Sequence, residues 1–142
     1  MPQIQRSALV HFSAEQMYHL VNDVLSYPEF LPGCVGSHIL EQTEHEMTAS
    51  VQVAKAGIRN EFTTRNVLHP FDKIELQLVN GPFKQLSGSW NFQPLAADAC
   101  KVVLELEFEF SNRLIAMAFG RIFKELAGAM VQAFSNRAKQ VY

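Results

Sequence analysis

The sequence predicts an α+β domain: a curved antiparallel sheet of about seven strands wrapped around a long C-terminal helix, with two short helices after the first strand. Three observations predict it. From Arg113 to Tyr142 there is no proline, and at ~100° per residue Ile115, Phe119, Ile122, Phe123, Leu126, Met130, Ala133 and Phe134 fall on one face, with Arg113, Arg121, Lys124, Gln132, Ser135 and Lys139 on the other. From Val35 to Phe110 the hydrophobic period changes to two. The runs of that period are joined by short turn-forming segments, which makes neighbouring strands antiparallel. A sheet with one apolar face must bury it, and the C-terminal helix is the only element large enough to do so.

The first strand occupies residues 3–12, with Ile4, Ala8 and Val10 sharing a parity with Arg6; that imperfect alternation suits an edge. Ser13 and Gln16 form a capping box that starts the first helix, with Phe12 placed to staple onto Met17 and Met17, Leu20, Val21 and Val24 as its stripe. Pro28 ends that helix near Leu25, and Pro32 and Gly33 force another turn. Glu29, Phe30 and Leu31 lie between the prolines, as a short lid or second helix.

The sheet continues with a modest strand over Ser37–Gln42. Met47, Ala49, Val51 and Val53 then alternate with Thr48, Ser50 and Gln52. Gly57 turns the chain into a strand with Ile58, Phe62 and Leu68 opposite Arg59, Glu61 and Arg65, closed by His69-Pro70-Phe71-Asp72. Ile74, Leu76 and Leu78 follow, then the turn Asn80-Gly81-Pro82, then an inward row of Leu86, Gly88, Trp90 and Phe92. Gly88 in mid-strand marks a bend or a close backbone approach. Val102, Leu104, Leu106, Phe108 and Phe110 alternate with Glu105, Glu107 and Glu109 in the last strand.

At 142 residues the chain forms one domain, 1–142, large enough to bury ~68% of its unfolded surface. A formal charge of −2 gives no overall pull toward nucleic acid or anionic membrane, so DNA is not an expected partner and any basic site is local. Cys34 and Cys100 stand far apart with no CxxC or Cys/His cluster, which reads as two buried thiols and no metal site. With no apolar N-terminal segment and no run of ~18 apolar residues, a cytoplasmic or membrane-peripheral location is expected.

Three segments carry a resemblance: Val24 to Cys34 (VLSYPEFLPGC), Phe62 to Asn66 (FTTRN) and Gly81 to Phe92 (GPFKQLSGSWNF). Together with the element order they resemble the coenzyme Q-binding protein family of the START-like, helix-grip superfamily, which includes polyketide cyclases and lipid-transfer domains. They resemble more closely its bacterial branch of ribosome-association toxins. The resemblance covers essentially the whole chain. It implies two activities: the expected one is binding ubiquinone or a related polyprenyl lipid in a hydrophobic cavity, without chemistry on it, in support of respiration, and the alternative is association with the large ribosomal subunit that blocks subunit joining and translation initiation. It also implies a small antitoxin protein as partner and peripheral contact with the inner membrane.

The inward rows nominate a cavity lining of Met47, Val51, Phe62, Leu76, Leu78, Trp90, Leu104 and Phe108 from the sheet and Phe119, Phe123 and Met130 from the helix, with Phe30 and Leu31 as its gate. These residues would serve equally as solid core. No cofactor is required; a quinone would be a bound ligand. Catalysis is not expected, because the assigned inward rows are nearly all apolar and a cyclase-like activity would need Tyr27, Asn60 or Asn66 turned inward. His11, His19, His38, His45 and His69 show no metal-ligand spacing and read as surface residues. For ribosome contact the candidates are Arg113, Arg121, Lys124 and Lys139 on the wet side of the helix, with Arg59 and Arg65 on the sheet's outer face.

Overall fold

The structure is a computed structural model in which residues 3–142 are described. Its strands are β1 (Gln3–Val10), β2 (Cys34–Gln42), β3 (Glu46–Lys55), β4 (Ile58–His69), β5 (Lys73–Asn80), β6 (Phe83–Ala96) and β7 (Ala99–Phe110). All seven form one antiparallel sheet in the order β1-β7-β6-β5-β4-β3-β2. Helix α1 (Ala14–Asn22) and a 3₁₀ turn (Val24–Glu29) follow β1, and α2 (Arg113–Val141) ends the chain. β1 is an edge strand, paired only with β7 from Gln3↔Glu107 to Val10↔Cys100.

The start of α1 follows from its sequence. Gln16 N–H donates to Ser13 Oγ (3.1 Å) and Ser13 N–H donates back to Gln16 Oε1 (2.9 Å), so two otherwise orphaned amides are satisfied. Phe12 stacks obliquely on Tyr142, ring centroids 5.9 Å apart. Helix α1 ends three residues earlier than its hydrophobic pattern suggests, at Asn22 rather than Leu25. The second short helix is the 3₁₀ turn itself, placed before Phe30 and Leu31 instead of on them. Pro28 sits inside that turn, where the missing amide costs less than it would in a continuing α-helix.

Bulges bend the sheet where β2 meets β3, where β4 meets β5, and at both ends of the β6–β7 ladder. Gly57 takes φ of +80° in the β3–β4 turn, a conformation that favours glycine. Gly88 answers to space: a Cβ there would lie 2.1 Å from the Glu105 carbonyl oxygen of β7, so the two backbones approach as they do only because position 88 has no side chain.

Helix α2 lies across β1 and β7 and touches α1. Phe119, Phe123, Leu126, Ala127, Val131, Phe134 and Ala138 are its buried face. Ser135 belongs to the buried side as well, not to the wet side its spacing suggests; its hydroxyl donates to the Val131 carbonyl (2.8 Å), which satisfies the polar group within the helix. Around the first half of α2, the rings of Phe62, Phe83, Phe108, Phe110, Phe119 and Phe123 pack mostly edge to face, with Phe83 and Phe110 stacked. The closest pairs are Phe83–Phe123 at 4.8 Å and Phe108–Phe123 at 5.0 Å. Such pairs contribute about 0.5–1.5 kcal/mol each beyond the area they bury.

Candidate functional site

Between the concave face of the sheet and the middle of α2 lies a cavity of about 80 Å³. Eight of the residues nominated from the sequence line it: Leu31, Val51, Phe62, Leu76, Trp90, Leu104, Phe123 and Met130. Phe30, Met47, Leu78, Phe108 and Phe119 lie outside the lining. Phe108 and Phe119 are consumed by the aromatic cluster at the N-terminal half of α2 and are 0% and 1% exposed. Met47 is enclosed at the far end of β3, opposite Gln42 of β2. Leu78 sits at the end of β5 beside the β4 bulge. Phe30 turns away onto the ring of Phe134, at 5.2 Å.

The segment Tyr27–Leu31 forms a strap over one side of the cavity. Leu31 points inward and is 3% exposed. Tyr27 is buried with it, its hydroxyl donating to the Val21 carbonyl and its ring 5.4 Å from Phe134. The outer side is latched by Arg137, which pairs with Glu29 at 3.2 Å and places its guanidinium over the Phe30 ring at 5.1 Å. The gate assigned to Phe30 and Leu31 is therefore divided: Leu31 closes the cavity and Phe30 holds the strap to the helix.

Two polar residues reach the cavity that the apolar lining rows omit. Thr64 and Asn66 share a side of β4 with Phe62 and Leu68, and Thr64 Oγ donates to Asn66 Oδ1 at 2.7 Å. Asn60, by contrast, is not part of the lining. Their parity was the available signal; the polar side chains masked it.

Tyr27 and Asn66, two of the three residues that a cyclase-like activity would need turned inward, line the cavity. Burial pushes the Tyr27 phenol far above its ordinary value, reinforced by Cys34 and Asp23 nearby, so it stays neutral and its O–H donates to the Val21 carbonyl. Burial also raises the thiols of Cys34 and Cys100, which remain unpaired and protonated. Among the described residues no group of His, Cys, Asp or Glu could hold a metal ion. His19, His38 and His69 stand near Glu15, Glu61 and Glu75 on the surface.

On the outer side of α2, Arg113, Arg121, Lys124 and Lys139 are all exposed. Arg121 Nε is held 3.2 Å from Glu125, which also receives Lys55 Nζ at 2.7 Å. Those two cations keep the Glu125 carboxyl below its usual range, Lys55 being the larger influence. Arg65, on the outer face of β4, pairs with Glu46 at 3.7 Å. Arg113, Lys124 and Lys139 are the cations of this stripe that enter no ion pair among the described residues.

Residues 10–135 match the family described as polyketide cyclase / dehydrase and lipid transport. The ribosome association toxin RatA of Escherichia coli K12 is 63% identical over 142 residues, a match that covers all of this chain and 90% of the relative. The chain belongs to the coenzyme Q-binding protein / RatA family. A more distant member of this family, the coenzyme Q-binding protein COQ10 homolog B of Xenopus laevis, is 28% identical over 96% of this chain and 57% of its own length. Among solved structures, the ZhuI aromatase/cyclase from a Streptomyces species superposes with a TM-score of 0.86 over 98% of this chain and 94% of its own, at 20% identity. That likeness establishes the helix-grip fold, which members of the family share with cyclases. Neither named relative in the family carries the name of an enzyme.

Proposed function

We propose that this protein is a ribosome-associating toxin, which binds the large ribosomal subunit, keeps the small subunit from joining and so inhibits the start of translation. The full-length 63% identity with a relative named for ribosome association carries this reading. The chain's own means of contact is the outer stripe of α2, where Arg113, Lys124 and Lys139 are free to meet phosphate and Arg121 can be drawn from Glu125. Four such contacts would give a slope of log K against log salt of about −3 to −4, and reversing two of them would halve it. The test is cosedimentation with isolated large subunits over a salt series, with the wild type and the double variant Arg121→Glu, Lys124→Glu. Loss of binding with a shallower slope is expected; identical pelleting of both proteins at every salt concentration refutes the assignment of this surface.

The cavity supports a second activity, the binding of a hydrophobic ligand, for which the COQ10 likeness suggests ubiquinone or another polyprenyl lipid. No chemistry on the ligand is proposed. At about 80 Å³ the cavity is smaller than the ~150 Å³ that holds one benzene, so occupancy requires its lining to give way. Extraction of detergent-free protein with organic solvent, followed by mass spectrometry, tests this: a lipid at near-equal molar amount supports it, and its absence from the folded protein counts against it.

A further inference from the structure

The edge strand β1 lends a cation to the outer side of α2. Arg6 is exposed, its Nη1 donates to the Gln5 carbonyl at 2.9 Å, and it enters no ion pair among the described residues. Its guanidinium lies against Gly128: a Cβ at that position would stand 3.4 Å from Nη2, 3.8 Å from Nε and 4.0 Å from Cζ. Glycine is a poor choice for the interior of a helix, and here it leaves open the space that the guanidinium occupies. At ~100° per residue Arg113, Arg121, Lys124, Gly128 and Lys139 fall within a sector of about 80°. Arg6 therefore fills the gap between Lys124 and Lys139, about 6 Å along the helix axis past Lys124. Glu125 is the one acid in α2, and Lys55 and Arg121 already hold it.

We propose that Arg6, seated on Gly128, is a phosphate-binding residue of the ribosome contact, and that this part of the contact is made with the backbone of ribosomal RNA. This rests on the ribosome-association reading above. A guanidinium carries five N–H donors in a planar fork. One is spent on Gln5 and the rest meet no carboxylate, so an anion with several acceptor oxygens is their complement. The cations from Arg113 to Lys139, with Arg6 among them, follow one another along α2 for about 39 Å. A nucleic-acid backbone supplies negative charge continuously over such a length. The aromatic rings of α2, Phe119, Phe123 and Phe134, are all buried, so the helix offers contacts to phosphate and no platform for bases.

Two measurements on intact large ribosomal subunits test it. In cosedimentation over a salt series, Arg6→Gln is expected to weaken binding about tenfold at low salt and to reduce the slope of log K against log salt by about 0.7–0.9. Arg6→Lys keeps the charge and should keep the slope while binding more weakly, because the fork is lost. Gly128→Leu leaves every charge in place but fills the seat, and should weaken binding as Arg6→Lys does. Gln132, exposed one turn beyond Gly128, reports on the partner. Gln132→Cys labelled with a benzophenone and irradiated with large subunits is expected to form an adduct with RNA. An adduct with a ribosomal protein alone, or none while the labelled protein still pellets, overturns the RNA contact and leaves ribosome association standing. Arg6→Gln or Gly128→Leu protein that pellets as the wild type does at every salt concentration overturns the role of Arg6. Wild-type protein that does not pellet with large subunits overturns the ribosome-association reading, and this proposal with it.

Discussion

Replacing Phe134 with alanine should unfasten the strap. Phe134 is 0% exposed, and its ring meets Tyr27 at 5.4 Å, Phe30 at 5.2 Å and Trp90 at 5.2 Å. It is thus the shared support for both aromatic rings of the strap and for the indole that lines the cavity. Truncating a fully buried phenylalanine costs about 3–5 kcal/mol, because the lost transfer free energy is joined by the cost of the void left behind. At roughly 2.1 cal/mol/K of unfolding entropy per residue, 142 residues convert that loss into a fall in Tm of about 10–17 °C. The assay is a circular-dichroism melt at fixed protein concentration, repeated with saturating decyl-substituted benzoquinone. The void adjoins Tyr27 and Trp90, so it enlarges the cavity, and the ligand should recover more of the lost Tm in the variant than it adds to the wild type. A fall below about 3 °C would show that the ring does not support the strap, since the void would then cost less than a single buried methyl group.

Tyr27→Phe leaves the buried Val21 carbonyl without its hydroxyl partner and should cost about 1–3 kcal/mol at neutral pH by denaturant unfolding. The same variant has a pH signature. The phenol's folded-state pKa lies above its ordinary value of 10.0, so Tyr27 contributes stability that is complete below pH 10.0 and is lost as pH rises through the folded value. The wild type should lose stability more steeply than Tyr27→Phe above that point; parallel alkaline limbs would contradict the burial of the phenol. Glu125→Gln releases Lys55 and Arg121 from their shared carboxylate and should carry ribosome cosedimentation to higher salt. Weaker binding by this variant would exclude the α2 stripe as the contact.

The sheet was legible because its burial is one-sided: Met47, Ala49 and Val53, or Leu104, Leu106 and Phe108, can face the helix only if every second residue is apolar. Helix α2 was legible for the same reason at a different period. Ser135 was misread because a serine that returns its hydroxyl to the i−4 carbonyl looks hydrophilic in sequence and behaves as a small core residue in place. The strap was located but not resolved into parts, since whether Phe30 or Leu31 faces inward depends on a 3₁₀ turn whose geometry Pro28 permits but does not dictate. Phe108 and Phe119 show where pattern reading stops. An inward position places a side chain under the helix, but whether it meets a void or three other rings is decided by packing between elements distant in sequence. Thr64 was recoverable in principle, for it stands on the Phe62–Leu68 parity and needed only to be counted despite its polarity; Asn66, on the same parity, enters the sequence reading only as part of a cyclase-like site.

The strand order β1-β7-β6-β5-β4-β3-β2 has a temporal consequence. Every hairpin from β2 to β7 joins neighbours in the chain and can form as soon as its second strand exists. β1 has no such neighbour: Gln3 pairs with Glu107, so its ladder closes a loop that contains nearly the whole sheet. During synthesis the first strand made is therefore the last to find its place, waiting on the strand that immediately precedes α2. Until β1 docks, the meander β2–β7 keeps the β7 edge unpaired, a row of backbone donors and acceptors open to any other strand.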